Sequence, residues 1–195
     1  MCYLEKIYKS FLLLVLFSFN LSAQTATTVS GYPVIDLSAL NPLGAVLSSS
    51  DAVTRRTTMY QQTPSNTATL AVGTSVSGHT GTWNAKMSVK YQVMRVNHTV
   101  GATDWTSAWN ACKSYNGEGG GAGLWRLPTQ RELQMIWILH PQLIGKGGFS
   151  AFSTSTYWSS TEGNATDAWY LTFSNGYVTW PAKTGSYYVR CIRDL

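Results

Sequence analysis

The chain has 195 residues, with 14 Lys and Arg against 9 Asp and Glu for a formal net charge of +5, and 44% of its residues are hydrophobic. That length suits one domain plus an extension. The basic residues are spread thinly, Arg55-Arg56 being the only adjacent pair, so no Lys/Arg stripe marks a nucleic-acid face; the charge serves solubility or a weak preference for acidic glycans and anionic surfaces.

The first 23 residues read as an export signal. Lys6 and Lys9 supply a positive start, residues 11–19 an apolar run, and Leu21-Ser22-Ala23 a small-residue cleavage site. The run is shorter than the roughly 20 residues that a membrane span needs, so no span is expected once the signal is removed. Cys2 leaves with it. Twelve basic and eight acidic side chains then remain, for a net charge of +4, together with two cysteines, Cys112 and Cys191. An even number of cysteines suits a chain bound for an oxidising space.

Residues 24–80 form a leader in which roughly a third of the side chains are Ser or Thr and charge is scarce. Such a composition buries little by itself. Its short apolar pieces, residues 33–37 and 69–72, are candidates for edge strands, packed against the domain or against a neighbouring subunit. Arg55-Arg56 reads either as two solvated charges in a loop or as a trypsin-like processing point.

From residue 81 to the end the texture changes to dense Trp and Tyr. Met87, Val89, Tyr91 and Val93 alternate, the period of a half-buried strand. Thr103 or Asp104 can cap a helix whose Trp105, Ala108, Trp109 and Cys112 stand at i, i+3, i+4 and i+7, one inward face. Residues 117–123, with five glycines, end that helix in a flexible loop; they match no phosphate-binding glycine pattern. Pro128 keeps the next stretch extended, and Thr129-x-x-Glu132 is a capping box. The cap accounts for both residue types and their spacing, so Glu132 reads as structural, not catalytic. The helix it opens should turn Leu133, Ile136, Trp137 and His140 inward and stop at Pro141. Residues 157–160 read as a short strand, residues 169–173 and 177–180 as a hairpin about a tight Asn175-Gly176 turn, and residues 187–193 as a last strand with Tyr187, Val189 and Cys191 on one face.

This order of elements resembles the C-type-lectin-like fold. More narrowly, the strings Trp125-Arg-Leu-Pro-Thr-x-x-Glu-Leu133, Tyr157-Trp-Ser-Ser-Thr161, Phe173-x-x-Gly176 and Val189-Arg-Cys-Ile-Arg193 are similar to those of the Lcl C-terminal domain family, over about residues 86–195. The resemblance implies an α+β fold, two helices packed on short antiparallel sheets, with the Ser/Thr-rich region as an N-terminal extension. It implies a Cys112–Cys191 disulfide tying the first helix to the closing strand. It also implies a secreted or surface-displayed bacterial protein, non-enzymatic, that binds glycans or a partner protein. A structural subunit of a fimbria, docking through its extension into other subunits, is the alternative.

No cofactor is expected. His79, His98 and His140 are scattered without metal-ligand spacing, and Glu162-Gly-Asn164 with Asp167 supplies too few oxygens for calcium, reading as a surface turn. Ser159 and Ser160 lack a nucleophile-elbow context. Trp105, Trp109, Trp125, Trp137 and Trp158 read as core. The hairpin aromatics Trp169, Tyr170, Tyr177 and Trp180 read either as core or as an exposed platform for a ligand. A bond closing a loop of about 80 residues contributes roughly 4–5 kcal/mol in the chain-entropy account. Cys112→Ser should therefore lower the melting temperature by about 10 °C or more; an unchanged thermal unfolding curve would refute the pairing.

Overall fold

The computed structural model describes residues 26–39, 46–70 and 87–195. The export signal (residues 1–23) and residues 71–72 of the second apolar piece lie outside them. The described chain is mixed α+β: three helices and three small sheets.

Five strands make the largest sheet, in the order β1 (Ala26–Val29), β2 (Tyr32–Asp36), β5 (Lys90–Val93), β10 (Ile192–Asp194) and β6 (Trp125–Arg126), with every pairing antiparallel. The first two strands come from the Ser/Thr-rich region. They meet at a two-residue turn, Ser30 at φ 50° and Gly31 at φ 79°, the doubly positive geometry that matches the twist of a hairpin. Of the two, only β1 is an edge strand; β2 is interior, paired with β5 from Val34↔Gln92 to Asp36↔Lys90, and its Val34 and Ile35 are buried.

The alternation expected from Met87 to Val93 breaks at Val89. β4 (Met87–Ser88) pairs in parallel with β3 (Val46–Leu47), and only then does β5 enter the large sheet. Tyr91 and Val93 are inward as expected, but Ser88 and Gln92 are buried as well. Both are covered because their polar groups find partners inside: Ser88 Oγ meets Asp194 at 2.6 Å and Gln92 Oε1 accepts from Arg193 at 2.5 Å.

Helix α2 (Trp105–Ser114) follows its sequence pattern. Asp104 caps it, accepting from the Ser107 amide at 3.1 Å, and Trp105, Ala108, Trp109 and Cys112 are all buried. Cys112 is bonded to Cys191, their Cα atoms 5.5 Å apart across 79 residues of sequence. The glycine-rich loop that follows is pinned. Glu118 accepts from the Arg95 amide at 3.0 Å, the Gly119 carbonyl from Arg193 at 2.5 Å, and Gly120 lies against Trp125.

Helix α3 (Gln130–Leu143) opens with the capping box in full: Thr129 Oγ1 accepts from the Glu132 amide at 3.3 Å, and Glu132 Oε2 from the Thr129 amide at 2.9 Å. Its inward stripe is Leu133, Ile136, Leu139 and Leu143. Two expectations are corrected. Pro141 does not end the helix, which runs one further half-turn to bury Leu143. Trp137 is not core: it is 36% exposed, donating from Nε1 to the Phe173 carbonyl at 3.1 Å, because Leu139 occupies the inward position. His140 is half-buried, its Nε2 accepting from the Phe152 amide at 3.1 Å among Phe149, Phe152 and Phe173. Burial and then Arg190 lower its pKa.

Helix α1 (Ser49–Gln61) overturns the reading of Arg55-Arg56 as two solvated charges in a loop. Ser48 caps the helix, and Arg55 is 1% exposed. Its Nη2 donates to Glu132 Oε1 at 2.7 Å and to Ser88 Oγ at 2.6 Å. Arg126 bridges Glu132 and a second acid, Asp194, reaching Glu132 Oε2 at 2.7 Å and Asp194 Oδ1 at 2.6 Å. Two guanidinium groups thus face two carboxylates inside the protein. Burial by itself would raise the Glu132 carboxyl, but Arg126 and Arg55 hold it well below the ordinary carboxylate range.

A group whose folded pKa is depressed contributes stability above its unfolded value and loses it as the pH falls through the folded one. For Glu132 that contribution is complete above about pH 5. Removing one partner of a buried ion pair costs about 3–5 kcal/mol, so Arg55→Ala should lose that much in chemical denaturation at pH 7, with a smaller loss for Arg55→Lys. A denaturation midpoint unmoved by Arg55→Ala would show that the cluster does not hold α1.

Candidate functional site

The last three-stranded sheet carries the aromatic residues singled out by the sequence. β7 (Thr156–Glu162), β8 (Ala168–Thr172) and β9 (Val178–Thr179) are antiparallel neighbours. The hairpin between β8 and β9 has a four-residue loop instead of a two-residue turn: the Thr172 amide donates to the Tyr177 carbonyl at 2.9 Å and the Gly176 amide to the Thr172 carbonyl at 2.8 Å. Gly176 alone in the loop has positive φ, 74°, and a Cβ there would stand 2.8 Å from the Trp137 ring.

This loop sets the register. Tyr170 pairs with Thr179, and Asp167 with Ala182, so Trp169 lies opposite Trp180. Their ring centroids are 4.6 Å apart. Because side chains alternate along a strand, Tyr170 and Tyr177 belong to the other face. There Tyr170 packs on Tyr187 with centroids 4.9 Å apart, and Tyr187 on the buried Trp158 at 4.7 Å. Burial, and after it the neighbouring Tyr187 and Tyr177, raise the Tyr170 pKa. The four candidate residues are therefore two pairs on two faces.

Each face presents one exposed ring, Tyr177 at 56% on one and Trp180 on the other. Trp180 is 50% exposed and Trp169 half-buried beneath it. The Trp180 indole rests on the backbone of Gly163, where an added Cβ would come within 3.0 Å of it. Asp167 stands two residues from Trp169 on the same strand path, hence on the same face. Its Oδ2 accepts from Asn164 Nδ2 at 2.6 Å, while Asn164 Oδ1 takes the Asp167 amide at 2.9 Å and the Thr166 amide at 2.8 Å. The 163–167 turn therefore holds a carboxylate beside two indoles.

Glu162 is not part of a surface turn. It is fully buried, its Oε1 2.5 Å from Lys183 Nζ. Lys183 also donates to the carbonyls of Ser65, Ala68 and Ala165 at 3.1, 3.1 and 2.8 Å and lies over the Trp105 ring. Glu162 further accepts from the Leu70 amide at 3.0 Å. This second buried ion pair fastens residues 65–70 behind the aromatic sheet. Nothing in the sequence spacing of Lys183 and Glu162 announces it. Thr129 and Glu132 serve as the cap, and Glu132 also serves the first ion cluster.

Among the described residues, no group of three or more His, Cys, Asp and Glu is placed to hold a metal ion, and no helix is long and apolar enough to cross a membrane. These elements define a disulfide-closed α+β domain, a construction that persists in oxidising compartments. The model of the Lcl C-terminal domain matches residues 77–193, more than half of the chain, and the protein belongs to that family. Membership and the disulfide are consistent with a bacterial surface protein and an extracellular location. No curated protein matches the chain.

Proposed function

We propose that the protein is a non-enzymatic, exported surface protein whose C-type-lectin-like domain binds glycans for adhesion, through the face carrying Trp169, Trp180 and Asp167. The observation that carries this reading is the cross-strand tryptophan pair with a half-exposed outer indole. A flat indole covers the C–H face of a sugar ring without losing much conformational freedom, and a neighbouring carboxylate accepts from hydroxyls. The buried acids Glu132, Asp194 and Glu162 are all committed to ion pairs, which supports a binding role over an acid–base one.

The alternative, a fimbrial subunit donating its extension to a neighbour, has less support. Residues 26–36 are paired within their own sheet, and Arg55 within its own ion cluster. Donation in trans would first have to undo both.

On a glycan array, the wild-type protein should bind a defined set of sugars, and Trp180→Ala should weaken binding by about tenfold or more, the loss of one stacked aromatic contact. Gly163→Ala should weaken it too by shifting the indole, and Tyr177→Ala, on the other face, should not. Equal binding by Trp180→Ala and wild type, or turnover of a bound sugar by the purified protein, would overturn the proposal.

A further inference from the structure

The adjacent arginines of α1 point to different places. Arg55 enters the ion cluster, and Arg56 lines a groove of about 750 Å³ between α1 and α2. On α1 the groove takes Arg56, Tyr60 and Gln61, on α2 Asn110 and Lys113, and its end is closed by Gly123, whose amide donates to the Lys113 carbonyl at 2.8 Å. Arg56 and Tyr60 are four apart on one helix, Asn110 and Lys113 three apart on the other, so each set forms one face. None of the aromatic hairpin's residues lines the groove.

Its chemistry is specific. Two cations line it and no acidic side chain does. Neither Arg56 nor Lys113 forms an ion pair among the described residues. The side-chain amides of Gln61 and Asn110 make no hydrogen bond there either, so both can donate to and accept from a ligand. Tyr60 lends an aromatic wall, and its buried hydroxyl has no partner. A guanidinium fork suits a carboxylate, an ammonium adds charge without geometry, free amides suit hydroxyls, and a ring edge or face suits a sugar's C–H surface. The volume falls in the range of small-molecule sites.

We propose that this groove binds a carboxylated sugar of one or two residues, its carboxylate held between Arg56 and Lys113. The site is independent of the tryptophan face. Half of it lies outside the family match, which begins at residue 77, after α1. The groove exists only while Arg55 holds α1 in place, so one helix supplies both the anchor and half of the site.

The test is chemical-shift perturbation of the full mature protein titrated with glucuronate, its neutral methyl ester, glucose and inorganic sulfate. Glucuronate should shift the Gln61 and Asn110 side-chain amides and the Gly123 backbone amide, binding at least about fivefold more tightly than the ester or glucose, and more weakly as salt rises. Arg56→Ala with Lys113→Ala should remove this preference with an unchanged melting temperature, both side chains being on the groove surface. Trp180→Ala should leave it intact, which separates this result from the fate of the glycan proposal above. Equal shifts from glucuronate and its ester, equal affinity for inorganic sulfate, or wild-type glucuronate binding by the double variant would each overturn the proposal.

Discussion

The position of α1 depends on the buried meeting of Arg55, Arg126, Glu132 and Asp194 around Ser88. Three regions far apart in sequence converge there: α1, the adjoining β6 and first turn of α3, and the strand β10. Charges taken out of water recover their desolvation cost only with close, well-bonded partners. Here each carboxylate has a guanidinium within 2.7 Å. Any other seating of α1 would leave two buried acids sharing one arginine. The cluster therefore acts more as a selector of one arrangement than as a large source of stability.

Lys183 and Glu162 repeat this logic on the other side. The ammonium is satisfied by three carbonyls and one carboxylate, and two of those carbonyls belong to residues 65 and 68. The Ser/Thr-rich stretch is fastened in two ways: Ile35, Leu37 and Val46 enter the main core, and polar groups hold residues 55–70. Arg55 enters from α1, backbone carbonyls close on Lys183, and the Leu70 amide closes on Glu162. Met59 and Leu70 add modest apolar contact with the tryptophan-rich core. A segment rich in Ser and Thr is thus held by the charges of the domain as well as by the core and the sheet it enters.

What the sequence made legible was local. The i, i+3, i+4, i+7 stripe of α2 and the Thr129–Glu132 box specify geometry within one turn or two, and the structure carries both. The partners of Arg55 and Lys183 were not legible, since a charge in a sequence shows its sign but not what it will meet 77 or 21 residues away. Glu132 shows why: its role as a cap fully explained it, which concealed its second role. The hairpin was legible in part. A two-residue Asn175-Gly176 turn would set Leu171 opposite Trp180, whereas the four-residue loop sets Trp169 there. The face shared by the two tryptophans is the same either way, because the slip is by two residues. Alternation alone separates Trp169 and Trp180 from Tyr170 and Tyr177. The groove left no signal, because it forms only after α1 and α2 have been brought together.

The order in which these constraints can be satisfied follows from where they end. Residues 190–194 complete several long-range links: Arg190 reaches Asn97 and the Ser150 carbonyl, Cys191 reaches Cys112, Arg193 reaches Gln92 and Gly119, and Asp194 reaches Arg126 and Ser88. β10 lies between β5 and β6, so neither of those strands has its inner partner until it arrives. Before then Arg55 and Arg126 would face Glu132 alone, a buried surplus of positive charge that disfavours docking of α1. Docking of α1 is therefore favoured once Asp194 is in place. Links between residues this distant in sequence keep the contacts non-local, the pattern that slows folding.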